Sequence, residues 1–310
     1  MLLKEILEIY ELIDRPGTVA ASVLALFKGL PVQTNKIEVK EKKGLTDFVK
    51  IIIPGKKGKS AKGKAPTIGI IGRLGGVGAR PEAIGFVSDG DGALTALSVA
   101  LKLARMKSRG DEFEGDVIVA THLCTNAPTM PHDPVPFMGS PVELATMNKY
   151  EVDQSMDAIL SIDTSRGNKI INTVGFAITP TVKEGWILKV SDDLLTMMEY
   201  VTGKPPTVVP ITLQDITPYG NGVYHFNSIM QPTVATQAPV VGIAITGEVP
   251  VPGCGTGVTN AYQIDLTGRY VVEVAQAYTK GKLIFYNKEE FVKITQLYGS
   301  LKKLQTLGKK

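Results

Sequence analysis

Ser88-Asp89-Gly90-Asp91-Gly92-Ala93 runs directly into Leu94-Thr95-Ala96-Leu97-Ser98-Val99-Ala100-Leu101, and the reading of this stretch decides the fold. The glycines allow the backbone a tight turn that other residues resist. The apolar run behind them predicts a helix whose first N–H groups are unpaired, which favours carboxylates at that end. A single acid is enough for a helix cap. Asp89 and Asp91 together therefore leave two readings open, an Asp N-cap with a turn or a seat for a metal or polar ligand.

On either side lie short, continuous apolar runs. Phe48 to Ile53, Thr67 to Ile71, Val117 to Ala120, Ala158 to Ile162, Thr207 to Ile211 and Val240 to Ile245 read as buried strands. Ile37-Glu38-Val39-Lys40 alternates as an exposed strand does. Leu2 to Ile13 has a helical period that ends at Asp14-Arg15-Pro16-Gly17, and Thr18 is placed to cap a second helix through Phe27. A helix over Glu289 to Leu304 closes the pattern. Buried strands alternating with helices predict an α/β protein, a three-layer α/β/α sandwich with a mainly parallel sheet. With no linker or repeat, residues 1–310 read as one domain with a small Pro-rich excursion at 128–153.

Composition narrows the function. The 310 residues are 44% hydrophobic and 21% charged, as in an ordinary soluble protein, and the formal charge is +4. The lysine tract Gly55 to Lys64 has no aromatic residue for stacking bases, so it reads as a solvated loop and no nucleic-acid partner is expected. Two cysteines, Cys124 and Cys254, exclude a disulfide framework. No secretory signal or bilayer-length apolar run is evident, so a cytoplasmic protein without a membrane partner is expected.

Ligands of parallel sheets collect at the carboxyl ends of strands. There the sequence places Arg73, then His122, Cys124 and Asn126, then Asp163 and Thr164, with Asp89 and Asp91 just before the helix. The turns Gly72 to Gly78 and Gly253 to Gly257 match neither the phosphate-loop nor the dinucleotide pattern and read as tight turns. Of the three histidines, His132 and His225 read as loop residues. His122 reads either as a base or ligand, or as a loop hydrogen bonder. Cys124 lies two residues from His122, but a lone cysteine is more often simply buried.

This order of elements resembles the catalytic domain of the di-zinc exopeptidases. Over most of its length the chain also resembles a prokaryotic family of unknown function, domain of unknown function 1177. The exopeptidase resemblance places Asp89 where a metal-bridging Asp stands, Gly92 where the turn glycine stands, and Asp163 where a further carboxylate ligand stands. Arg73 takes the place of the first ligand His and Gly75 that of the following Asp, while His122-Leu123-Cys124 replaces the pair that carries the general base. No histidine stands at 249–260. Standard peptidase activity is therefore not implied.

Two function classes follow. One is a hydrolase of a small amide or peptide-like metabolite with a non-standard divalent-metal site. In it Asp89, Asp163 and His122 are ligands, and Asp91 and His122 assist catalysis. The other is a non-catalytic descendant that binds a small or peptide-like molecule through Arg73, Asn126 and Thr164, with Arg73 as internal counter-ion. The partner of Arg73 separates them: Asp89 for the second, or a position away from converging Asp89, His122 and Asp163 for the first. The resemblance also implies a homo-oligomer.

Overall fold

The computed structural model describes residues 1–131, 136–249 and 259–309. Chain order runs through the helices α1 (Leu3–Ile13) and α2 (Ala20–Ala25), then the strands β1 (Gln33–Glu41), β2 (Gly44–Ile53) and β3 (Ile68–Gly72). Helix α3 (Asp91–Ser108) and β4 (Val117–Leu123) follow, then β5 (Thr129–Met130), β6 (Phe137–Met138) and α4 (Leu144–Glu151). Next come β7 (Ala158–Thr164), β8 (Gly175–Ile178), β9 (Val182–Lys183), β10 (Trp186–Ile187) and α5 (Asp192–Thr202). The chain closes with β11 (Val240–Thr246), α6 (Ala261–Thr279) and α7 (Lys288–Tyr298).

The main sheet has the order β1-β2-β4-β3-β7-β11-β9-β10, and β8 also pairs with β11. Its centre is parallel: β3 lies between β4 and β7, and β7 beside β11. β2, β8 and β9 run antiparallel to their central neighbours. Chain order reverses direction across the sheet at β3, which makes its carboxyl end the topological switch point where open α/β sheets bind ligands.

The continuous apolar strands are buried on both faces. Ile68, Ile70, Val117, Val119, Leu160, Ile162, Ile243 and Ile245 join one core with α1, α3 and α6. Ile71, Ile118, Ile159 and Ala244 point the other way and pack with Ile229 and Met230. That second layer is made largely of α4 and the 3-10 segment Ser228–Ala235 rather than long helices. Among the described residues no helix is long and apolar enough to cross a membrane.

Several elements differ from the sequence expectation for local reasons. α2 starts after Val19 rather than Thr18, and tight three-residue turns end it at Ala25, where the Leu26, Phe27 and Lys28 amides bond Val23, Leu24 and Ala25. Residues 207–211 form no strand. Pro205, Pro206 and Pro210 remove ladder donors, and Val208 makes one bridge to Ile178. α7 stops at Gly299, whose φ of 81° suits glycine, before a separate turn at Lys302–Gln305.

Candidate functional site

The site grows out of two strands that run further than their apolar cores. β4 continues through Thr121 and His122, and β7 through Asp163 and Thr164, because their backbone groups keep pairing with β2, β3 and β11. His122 and Asp163 share the strand face of Ile118 and Ile159, the face covered by α4 and Ser228–Ala235. Arg73 follows β3 between them.

Arg73 is fully buried and is the largest such side chain described. Its Nη1 lies 2.5 Å from Glu151 Oε2, with Asn148 Oδ1 at 3.4 Å. Glu151, also fully buried, uses its other oxygen to accept from His122 Nδ1 at 2.8 Å. The Gly75 amide donates to His122 Nε2 at 3.2 Å. An imidazole that donates at Nδ1 and accepts at Nε2 is the neutral Nδ1–H tautomer, so both its nitrogens are already committed. Arg73 Nε and Nη2 have no hydrogen-bond partner among the described residues.

Asp163 lies alongside. Its Oδ2 accepts from Ser228 Oγ and its Oδ1 from the Thr164 amide, each at 2.7 Å. Burial pushes its carboxyl up to about 6, against the lowering pull of Ser228, the Thr164 amide and Arg73. Tyr219 covers the same region, stacked on His225 at 4.3 Å, and burial raises its phenol. The Tyr219 amide donates to Gln231, whose backbone carbonyl holds Asn148 Nδ2 at 3.0 Å.

The two aspartates at the start of α3 have different surroundings. Gly90, not an aspartate, is the N-cap, and no side chain caps the helix. Asp91 instead pairs with Arg166 and accepts from Thr259 Oγ1 at 2.8 Å. Burial pushes Asp91 up to about 6, and Arg166 and Thr259 only partly offset this. Asp89 is buried in the 3-10 turn Ser88–Gly90, and Thr164 Oγ1 donates to the Ser88 carbonyl at 2.8 Å. Gly92 is required here: a Cβ on it would stand 2.6 Å from the Ile162 carbonyl oxygen and 2.7 Å from that of Arg73. α3 thus starts wedged between the ends of β3 and β7.

Asn126 is exposed and lines a separate cleft of about 510 Å³ with Arg80, Asp47 and Thr125. The Cys124 thiol approaches Asn126 Oδ1 at 3.9 Å, packs with Ala79, Val87 and Met138, and is pushed up by burial. That is the setting of an inert buried thiol. His132 and Gly253 to Gly257 lie outside the described residues.

The structure thus joins Arg73, His122 and Asp163 but places Asp91 and Asn126 elsewhere. The ion-pair partner of Arg73 is Glu151 rather than the expected Asp89; sequence reasoning missed Glu151, which ties Arg73 to His122. The one local signal was the i, i+3 pair Asn148 and Glu151 beside Met147 on the buried face of α4.

These residues do not fit the di-zinc centre implied by the exopeptidase resemblance. Where that resemblance expects the first imidazole the chain has Arg73, bound to Glu151; the His122 lone pair is spent on a backbone amide, and Asp91 is paired with Arg166. Among the described residues no group of three or more His, Cys, Asp or Glu is arranged to hold a metal ion.

The fold matches solved structures at low identity. The bottromycin maturation enzyme BotP in complex with Mn is 13% identical with a TM-score of 0.53, covering 90% of this chain and 71% of that one. A putative aminohydrolase from methicillin-resistant Staphylococcus aureus is 10% identical with a TM-score of 0.53, covering 89% and 97%. A tomato leucine aminopeptidase variant is 12% identical with a TM-score of 0.52; the match covers 88% of this chain but only 61% of that enzyme. The fold is therefore the α/β fold of aminopeptidases. No curated protein matches the sequence. Residues 37–308 match the family described as "Protein of unknown function (DUF1177)", and the chain belongs to that family.

Proposed function

We propose that this protein binds a small amino-acid-like or peptide-like molecule by its carboxylate at the end of β3, on a hydrolase-like scaffold that works without a di-zinc centre. One observation carries the reading: Arg73 is fully buried, yet only Nη1 is paired while Nε and Nη2 lack partners among the described residues. Leaving a buried donor unsatisfied costs about 1–3 kcal/mol. The Nε/Nη2 edge of a guanidinium is a fork that matches a carboxylate with two parallel hydrogen bonds. Glu151 fixes the opposite side of that fork and holds its direction. Asp163 adds a second device, because a carboxylate arriving nearby favours the protonated form of a carboxyl already raised to about 6.

The test is calorimetric titration with N-acetylglycine and glycylglycine, with N-acetylglycine methyl ester as the probe lacking a carboxylate. The acids are expected to bind saturably and the ester not at all. Arg73→Lys keeps the charge but loses the fork, and should weaken the acids by about tenfold or more, roughly 1.4 kcal/mol. Equal binding of ester and acid overturns the reading, as does metal-dependent amide hydrolysis abolished by Asp89→Ala.

A further inference from the structure

We infer a second ligand site, for a phosphorylated small molecule, in the cleft at the opposite edge of the sheet, where the lysine loop meets the start of α7. This cleft measures about 930 Å³ and is bordered by residues just ahead of β3, β7 and β11: Pro66, Asp157 and Pro239. Lys59, Lys64, Lys183 and Lys288 surround it, with the Tyr278 and Tyr286 rings on one wall.

The lysine loop is built rather than merely solvated. Asp116 accepts from the Gly55 and Ser60 amides at 2.7 Å each, and the Lys56 and Lys57 amides bond the Phe113 and Glu114 carbonyls. A Cβ on Gly63 would stand 1.9 Å from the Lys57 carbonyl oxygen, so the loop closes tightly on itself. The loop therefore fixes the backbone at Lys59 and Lys64, and Lys59 is held further by the Ser155 carbonyl and Asp157.

Two of the four ammonium groups are already matched. Lys59 pairs with Asp157 at 2.7 Å, and Lys183 with Glu184 at 2.8 Å. Lys64 and Lys288 have no ion-pair partner among the described residues. Two lysines without an ion pair among the residues lining one cleft suit a phosphate oxyanion, since ammonium groups bind phosphate without a directional fork. Met156 and Phe285, both buried, give the same cleft an apolar floor for the group carrying the phosphate. This placement is independent of Arg73, which lies at the carboxyl edge.

The test is calorimetric titration of the full chain with inorganic pyrophosphate, at low salt and at about 300 mM sodium chloride, where exposed charges are strongly screened. Saturable binding that weakens at high salt is expected. The exposed pair Lys64→Ala/Lys288→Ala should lower the affinity by about tenfold or more. Lys42→Ala, on the β1–β2 turn and away from the cleft, should leave it unchanged. Absence of saturable binding at millimolar pyrophosphate overturns the inference. So does an equal effect of Lys42→Ala, or wild-type affinity in a folded double variant, with folding checked by the thermal midpoint.

Discussion

Replacing Arg73 by methionine keeps the length of the side chain and removes its charge. Glu151 would then be a fully buried carboxylate whose remaining partner is His122 Nδ1 at 2.8 Å. Breaking a buried ion pair from one side costs about 3–5 kcal/mol, because the surviving charge stays out of water without compensation. Spread over 310 residues, that corresponds to a fall of about 5–8 °C in the thermal midpoint. Glu151→Gln in the same chain removes the stranded charge while its amide oxygen still accepts from His122. Most of the lost stability should return, since replacing both partners of a buried pair is often near neutral. Urea denaturation of wild type, both single variants and the double variant measures the coupling directly. A loss below about 1 kcal/mol for Arg73→Met, or a double variant no more stable than Arg73→Met, would refute the electrostatic account.

Three further outcomes follow from the same geometry. Asp163 titrates at about 6 in the fold against an ordinary value of 3.8, so the folded state holds the extra proton between those pH values and stability falls as pH rises through 6. The contribution is about 3 kcal/mol for a two-unit shift, and Asp163→Asn should reduce the slope of the urea midpoint between those pH values, the remainder coming from Asp91, which is raised over the same range; an unchanged slope rejects it. Gly92→Ala drives a methyl into two strand-end carbonyls, so a loss above about 3 kcal/mol or insoluble protein is expected, and a midpoint within 2 °C of wild type would contradict the packing. Elemental analysis after incubation with excess zinc, manganese or cobalt should find less than one equivalent; stoichiometric metal that Asp89→Ala abolishes would restore the metallohydrolase reading.

The central strands were legible because a sheet covered on both faces demands uninterrupted apolar sequence, as in Val117 to Ala120 and Ala158 to Ile162. Their polar extensions were not. Thr121 and His122 read as loop because side-chain pattern reports burial of side chains, whereas backbone pairing with β2 and β3 keeps them in the strand. The antiparallel edge of β8 to β10 escaped because its strands are two to four residues long. Within the site, position marked Arg73, His122 and Asp163 as strand-end residues, but not what they touch. Arg73 and Glu151 stand 78 residues apart, and no local period reports an ion pair across that distance. Asp91 looked like a cap or ligand; its real partner, Arg166, follows a different strand.

Helix α4 has a role that its eight residues conceal. It brings the only negative charge that bonds the Arg73 guanidinium among the described residues, and it does so from the segment between β4 and β7 rather than from the sheet. The centre of the sheet is thus electrically complete only once α4 has docked. A chain that shortened this segment and kept Arg73 would leave the buried guanidinium without its bonded carboxylate. One that lost Arg73 and kept α4 would strand an anion there. The docking of α4 and the burial of Arg73 are therefore one electrostatic event, in which each supplies the charge that the other needs.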